Sequence, residues 1–268
     1  MQYFKKLIFY IINNSNFAAR ISLKIWIFYS DTKCFIKLCL YKYAKIRIKS
    51  LSDRDQDRWV VELFHSKNKN IKSNKKNFFL EIGAGDGFYW SNTFILEKYY
   101  NWTGILVEPN PEQYKKLKKN RSSSSSILSN DLIWSKKEKI NFFKDGDLSK
   151  VIFNKSGDAL KNEQDYITLN AISLEELLIK YNAPKIIDFF SLDVEESEEE
   201  VLIPCLKKYI FFSLTIERPS QLLNSHLFSN DYFFVKNSLY DSFYVHKSID
   251  NFDEIEKSPF SQLPAKNF

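Results

Sequence analysis

Histidine, cysteine and glycine are scarce in this chain, and each scarcity removes a class of chemistry. The 268 residues hold three histidines, His65, His226 and His246, and three cysteines, Cys34, Cys39 and Cys205. No pair has metal-ligand spacing, so neither a zinc site nor a Cys–His nucleophile pair is expected. An odd number of unpaired cysteines reads as reduced thiols in a cytosolic protein. No stretch reaches the roughly 18 uncharged apolar residues of a membrane-spanning helix. The opening run "KKLIFYII" is short, stops at Asn13 and Asn14, and lacks a convincing small-residue cleavage site. A basic stripe interleaved with aromatics in a recognisable module is also missing, which argues against a nucleic-acid partner. The net charge is nevertheless +6, and much of that excess sits in the first fifty residues.

What is present suits one soluble α/β domain with an N-terminal extension: 44% hydrophobic residues, 27% charged residues and a mean hydropathy of -0.35. The expected division is an extension over 1–50, a catalytic-type domain over 51–250 and a tail over 251–268. Within the extension, "KCFIKLCLYKYAKIRIK" has helical periodicity, with Ile36, Cys39, Tyr43 and Ile46 on one face and Lys42, Lys45 and Lys49 opposite. A helix packed on the core with its lysines in water is the plainer reading. Peripheral contact with an anionic membrane through residues 1–50 is the functional one, for a protein otherwise read as cytoplasmic.

From Phe78 onward strand and helix patterns alternate. Strands are expected at 78–82, 104–108, 127–134, 139–143, 166–172, 186–193 and 209–217, with a hairpin of 232–236 and 242–247. Helices are expected at 90–100, 111–120, 173–181, 196–206 and 219–228. Such alternation predicts a mostly parallel sheet covered on both faces.

Three of the few glycines crowd into "FFLEIGAGDGF", residues 78–88. The strand ends in Glu81, and Gly83, Ala84, Gly85, Asp86 and Gly87 form the turn after it, where open α/β sheets bind ligands. The next strand, in "GILVEPNP", ends in Glu108, followed by Pro109, which stops it. Glu108 stands 21 residues after Gly87, where a carboxylate accepts both hydroxyls of an adenosine ribose. A dinucleotide would bring a pyrophosphate, which wants backbone N–H groups and no nearby anion. Glu81 and Asp86 would repel it, and the spacing is G-x-G-x-G rather than G-x-G-x-x-G. S-adenosylmethionine instead carries a sulfonium and an ammonium, which suit a carboxylate lip.

These residues resemble the FkbM-type S-adenosylmethionine-dependent methyltransferases. The similar stretches are "QDRWVVELF" (56–64), "FFLEIGAGDGFYWSNTFILEK" (78–98), "NWTGILVEPNPEQYKKLKKNR" (101–121), "ISLEELL" (172–178), "IDFFSLDVEESEEEVL" (187–202) and, more weakly, "DSFYVHK" (241–247). The resemblance implies a Rossmann-like methyltransferase fold with seven strands, the last antiparallel. It implies methyl transfer to an oxygen, often on a sugar or polyketide. By motif, Glu81, Gly83, Gly85 and Gly87 would line the methionine part of the donor, with Ala84 and Asp86 beside them. Glu108, with Pro109, would hold the ribose; Asn92 would help orient the loop; Asp131 is a looser candidate for the adenine amine. Where the family usually reads D-V-E-G-x-E, this chain has Glu196 in place of the glycine, which costs on the order of 1 kcal/mol if that residue needs a positive φ.

The apolar strand "IDFFSLDVEE" places Asp193 at a carboxyl end, across from the glycine loop. An attacking hydroxyl must lose its proton, and a carboxylate can take it. Asp193 is the first candidate base, Glu195 the second, and Glu217, topping the next strand, a candidate for binding acceptor hydroxyls. No metal is required, although carboxylates converging there are ligands of the kind Mg²⁺ or Ca²⁺ takes. The expected partner is a small-molecule or glycan acceptor. The competing classes are a methyltransferase-like binding module without turnover and a nicotinamide-dependent oxidoreductase.

Overall fold

A computed structural model describes residue 37 and residues 47–65, 76–144, 149–151, 166–195 and 197–264. The helix expected at 33–49 lies outside these apart from residue 37, which is helical, and 47–49, which are not. Glu196 is also outside them. Among the described residues, no helix is long and apolar enough to cross a membrane.

The strands in chain order are β1 (Phe78–Ile82), β2 (Thr103–Val107), β3 (Ile127–Ser129), β4 (Leu132–Trp134), β5 (Glu138–Phe143), β6 (Lys150–Val151), β7 (Tyr166–Ser173), β8 (Ile186–Leu192), β9 (Ile210–Glu217), β10 (Tyr232–Ser238) and β11 (Asp241–His246). The helices are α1 (Gln56–His65), α2 (Phe94–Tyr100), α3 (Pro111–Asn120), α4 (Leu174–Lys180), α5 (Glu198–Leu202) and α6 (Gln221–Ser229). Seven strands form the main sheet in the order β10-β11-β9-β8-β1-β2-β3. Pairs from β9 across to β3 are parallel, and β11 is antiparallel to both β9 and β10. The α/β architecture and the antiparallel C-terminal hairpin thus agree with the expectation.

Strands buried on both faces read as nearly continuous apolar runs, as "FFLEI" and "IIDFFSL" do. One face carries Leu80, Ile82, Phe190 and Leu214 against Leu177 of α4, Leu202 of α5 and Leu223 of α6. The other carries Phe79, Leu106, Phe189 and Phe243 against Trp59 of α1, Leu96 of α2 and Leu117 of α3. Local signals set the helix starts. Asn110 caps α3 by accepting from the Glu112 amide, with Pro111 at the first helical position. Ser173 and Glu176 form a capping box on α4.

Four elements differ from the sequence reading. The helix expected from residue 90 starts at Phe94, because residues before it fold back onto Glu81 and Trp90 takes φ +54°. The strand expected at 127–134 breaks at Asp131: β3 joins the main sheet and β4 a second sheet of order β4-β7-β5-β6. That second sheet, packed around Trp134, Ile140 and Phe142, was not anticipated. The helix expected at 196–206 shortens to α5 plus a 3-10 turn, Ile203–Cys205, at Pro204, which lacks an N–H. Cys205 is buried and its thiol is pushed up to about 12 by burial, so it stays protonated and inert.

Helix α1 is fixed by Asp57, which is fully buried. Its carboxylate accepts from Ser50 Oγ (2.7 Å), the Leu51 amide (2.6 Å), and the Ser52 amide (3.1 Å) and Oγ (2.7 Å). Burial raises its pKa, and these hydrogen bonds oppose the shift. Asp57→Ala would leave four buried donors without an acceptor. The expected loss is on the order of 3 kcal/mol or more in urea unfolding, and a loss under 1 kcal/mol would refute this account of the start of α1.

Candidate active site

A cleft opens at the carboxyl ends of β1 and β8. From β1 the chain steps outward through β2 to β3, then returns to β8 and steps the other way to β9. The loops leaving β1 and β8 diverge there, and a crevice results. Its walls are residues of the loop after β1, Glu108 and Pro109 after β2, Asp193 to Glu195 after β8, and Ile133 and Phe142 of the second sheet.

The two sides of the cleft touch at its floor. Gly83 has φ +84°, and a Cβ on it would lie 1.9 Å from the Asp193 carbonyl oxygen. The Asp193 amide in turn donates to the Ile82 carbonyl at 3.1 Å. Gly85 also has positive φ, +53°, but no atom of the described residues lies within 4 Å of where its Cβ would be. Its amide donates to Glu108 Oε2 at 2.8 Å, while Oε1 accepts from the Asn110 amide at 2.8 Å. Glu108 is therefore fixed in place, 6% exposed, at the cleft wall.

The loop acids are arranged differently from the sequence reading. Glu81 lines the cleft but is 3% exposed. It accepts from the Asn92 amide (2.8 Å), from Ser91 Oγ (3.3 Å) and from Thr93 Oγ1. Burial raises its pKa, and the nearby Arg121 guanidinium is the main opposing influence. Asp86 does not line the cleft: its Oδ1 accepts from the Phe88 (2.9 Å) and Tyr89 (2.7 Å) amides and shapes the loop. The charges of Glu81 and Asp86 are thus committed within the protein. Gly87 faces Leu117 rather than the cleft. Asp131 also stands outside the cleft wall, where Lys180 Nζ donates to it at 2.7 Å, because the break between β3 and β4 turns it toward α4. Ala84 and Asn92 do line the cleft. Asn92 Nδ2 donates to Ser191 Oγ at 2.8 Å, and its Oδ1 is buried without a hydrogen-bond partner.

Asp193 and Glu195 line the far wall, and Glu217, which is not itself a lining residue, joins them: the three offer carboxylate oxygens within 4.8 Å of one another. Arg218 Nε lies 3.6 Å from Glu217 Oε1. The Asp193 side chain is exposed to the cleft, yet protein surrounds it closely on its other sides. Lost hydration, then Glu217 and Glu195, hold its carboxyl well above the usual value. Asp241, at the start of β11, is raised to about 7 by burial and then by Glu217. Two bulky residues at the rim, Trp90 (φ +54°) and Glu195 (φ +51°), are held in the left-handed region. The Trp90 ring pairs with Tyr89 at 4.8 Å. Sequence reasoning missed Tyr89, Ser91, Ile133, Phe142 and Ser149 of the wall. The last three arrive from the unanticipated second sheet and its loop, and no motif marks them. Trp102 is core, 1% exposed, with Nε1 donating to His65 Nε2 at 2.8 Å.

A family model described as "Methyltransferase FkbM domain" matches residues 81–233, more than half of the chain. The chain belongs to the FkbM methyltransferase family. No curated protein matches it. Similar solved structures include a human methyltransferase 10 domain containing protein, at 12% identity and a TM-score of 0.37, over 71% of this chain and 79% of that one. An O-methyltransferase family 2 protein from Planctomyces limnophilus DSM 3776, in complex with apigenin, has 12% identity and a TM-score of 0.36, over 80% of this chain and 60% of that one. At these scores the likenesses carry no argument; the strand order carries the fold and the family match carries the methyltransferase assignment.

The glycines yield a graded prediction. Gly83→Ala collides with backbone and is expected to cost more than about 3 kcal/mol of stability, whereas Gly85→Ala has open space and incurs only the left-handed penalty of about 1 kcal/mol. Equal losses in urea unfolding would contradict the contact at the cleft floor. Asp241 gives a pH prediction. Its ordinary value is 3.8 and its folded value about 7, so between these the folded state binds more protons than the unfolded one. Stability therefore falls as pH rises through that window and levels off above it. In thermal melts scanned across pH, Asp241→Asn should make this fall shallower; an unchanged slope would count against the assignment.

Proposed function

We propose that this protein is an S-adenosylmethionine-dependent O-methyltransferase acting on a hydroxyl of a sugar, glycan or other small molecule. The observation that carries the reading is Asp193, with a raised carboxyl, facing the glycine loop across the cleft.

The residues fit the donor. The open space at Gly85 lets a ligand meet the backbone there. Glu108, tied at 2.8 Å to the Gly85 and Asn110 amides, is positioned to accept ribose hydroxyls. Ile133 and Phe142 give the apolar surface a purine ring requires, and the orphaned Asn92 Oδ1 is an acceptor for an ammonium. With Glu81 and Asp86 committed to the loop, counter-charge for a cationic ligand falls to Asp193, Glu195 and Glu217. The donor, when bound, supplies an electrophilic methyl group.

The chain's own residues handle the acceptor. Asp193 takes the hydroxyl proton onto a carboxylate oxygen, and its raised pKa brings it nearer the working range of a general base. Glu195 and Glu217 accept hydrogen bonds from neighbouring hydroxyls of the acceptor. The tilted Tyr89–Trp90 pair offers a face on which an acceptor ring can lie. The reading keeps the protein cytoplasmic, with residues 1–50 as the part that contacts an anionic membrane peripherally.

Calorimetric titration with S-adenosylhomocysteine is expected to give micromolar binding, weakened at least tenfold by Glu108→Ala, since about 1.4 kcal/mol is tenfold and one hydrogen bond to a charged group reaches that. With an acceptor in hand, Asp193→Asn should lower transfer by about 10²–10⁴ while the homologue still binds. Binding without transfer over a broad acceptor panel would favour a non-catalytic module. Tighter binding of a nicotinamide cofactor would overturn the proposal.

A further inference from the structure

Helix α3 holds the loop between β1 and α2 at both of its ends. At the N-terminal end the contact is the Gly85 amide on Glu108, just before the helix. At the C-terminal end the last turn meets the same loop three times. Leu117 Cδ1 lies 2.2 Å from where a Cβ of Gly87 would be, so a side chain there would collide with the helix. Asn120 Nδ2 donates to the Asp86 carbonyl at 2.9 Å. Arg121, the C-cap residue, donates from Nε to the Gly87 carbonyl at 2.6 Å, and from one terminal nitrogen to Ser91 Oγ at 2.8 Å and Thr93 Oγ1 at 3.2 Å. Its other terminal nitrogen bonds Glu97 Oε2 at 3.0 Å.

This guanidinium is 4% exposed and is not part of the cleft wall. Burial lowers its pKa, and the facing carboxylates of Glu81 and Glu97 oppose that shift. The contacts spread along the loop, at residues 87, 91 and 93, and they leave the guanidinium in different directions. A rigid planar fork of five donors satisfies such a pattern, and a lysine ammonium does not. Asp86 and Glu81 support parts of the loop from within, at the 88 and 89 amides and at residues 91–93, and Arg121 links residues 87, 91 and 93 across those local bonds.

We infer that Arg121 is a positioning residue for the donor site: its guanidinium sets the curvature of residues 83–93, so that the Gly85 backbone and Asn92 stand ready at the cleft before a ligand arrives. The inference rests on the donor reading above. It acts through the loop, because Arg121 itself touches no ligand surface.

The test compares Arg121→Lys and Arg121→Gln with Leu227→Ala, a fully buried control on α6 in the core of the opposite face. Three quantities are measured: melting temperature, S-adenosylhomocysteine affinity and backbone hydrogen exchange. Both Arg121 variants should lose at least tenfold in affinity and exchange faster across residues 83–93. Leu227→Ala should lose melting temperature without either change. Arg121→Lys binding within twofold of wild type, or Leu227→Ala losing as much affinity, would overturn the inference. If the Arg121 variants do not fold, Thr93→Val removes one arm of the contact together with the Thr93–Glu81 bond; faster exchange that reaches the far end of the loop, at residues 83–88, supports the inference, and unchanged exchange there overturns it. A wild-type protein that binds no homologue sinks the donor reading, while the exchange comparison still decides what Arg121 does to the loop.

Discussion

The cleft depends on one backbone contact, the approach of Gly83 to the Asp193 carbonyl. β1 and β8 are neighbours in the sheet, but the chains leaving them belong to opposite halves of the molecule. Contact between these two chains at the floor fixes the distance between the glycine loop and Asp193. Without it the loop and the carboxylate cluster would be two surface features rather than two walls. The missing Cβ at Gly83 is therefore a condition on the site, because a side chain would separate the walls before any question of ligand arose.

The electrostatics follow from how each acid is tied. Of the carboxylates that the sequence places near the cleft, five divide into two kinds. Glu81 and Asp86 are absorbed by the loop's own donors and by Arg121. Asp193, Glu195 and Glu217 crowd one another, and their mutual repulsion adds to burial in raising Asp193. A bare count of acids would predict negative potential on both walls. The hydrogen bonds draw Glu81 and Asp86 into the loop, and leave Glu108 beside the glycines and Asp193 with Glu195 opposite them.

Much of this was legible in the sequence, for identifiable reasons. Parallel strands buried on both faces leave long apolar runs, so β1, β2, β8 and β9 were readable nearly to the residue. The G-x-G-x-G turn and the carboxylate after β2 are local patterns with local causes, and the structure puts Gly83, Gly85 and Glu108 at the cleft. What was not legible depends on contacts between distant segments. Asp131 looked like a cleft residue until the break after β3 turned it to Lys180. Asp86 looked like a ligand charge because sequence cannot show a carboxylate folding onto amides two and three residues ahead. Arg121 closes a lysine-rich run with no motif to mark it, yet it is buried beneath the loop. The longer strands of the second sheet, β5 and β7, were legible as strands, but their pairing apart from the main sheet was not, and β4 and β6 are too brief to leave a period.

The grip of α3 on one loop from both ends makes that helix a ruler. Ten residues at a rise of about 1.5 Å each make a helix about 15 Å long, with Glu108 before its start and Arg121 at its end. One inserted residue would swing the last turn by about 100° and carry the guanidinium off the loop. Change in this part of the molecule is thus confined to the exposed lysine face of the helix, where Lys115, Lys116, Lys118 and Lys119 can be exchanged freely, while its length cannot.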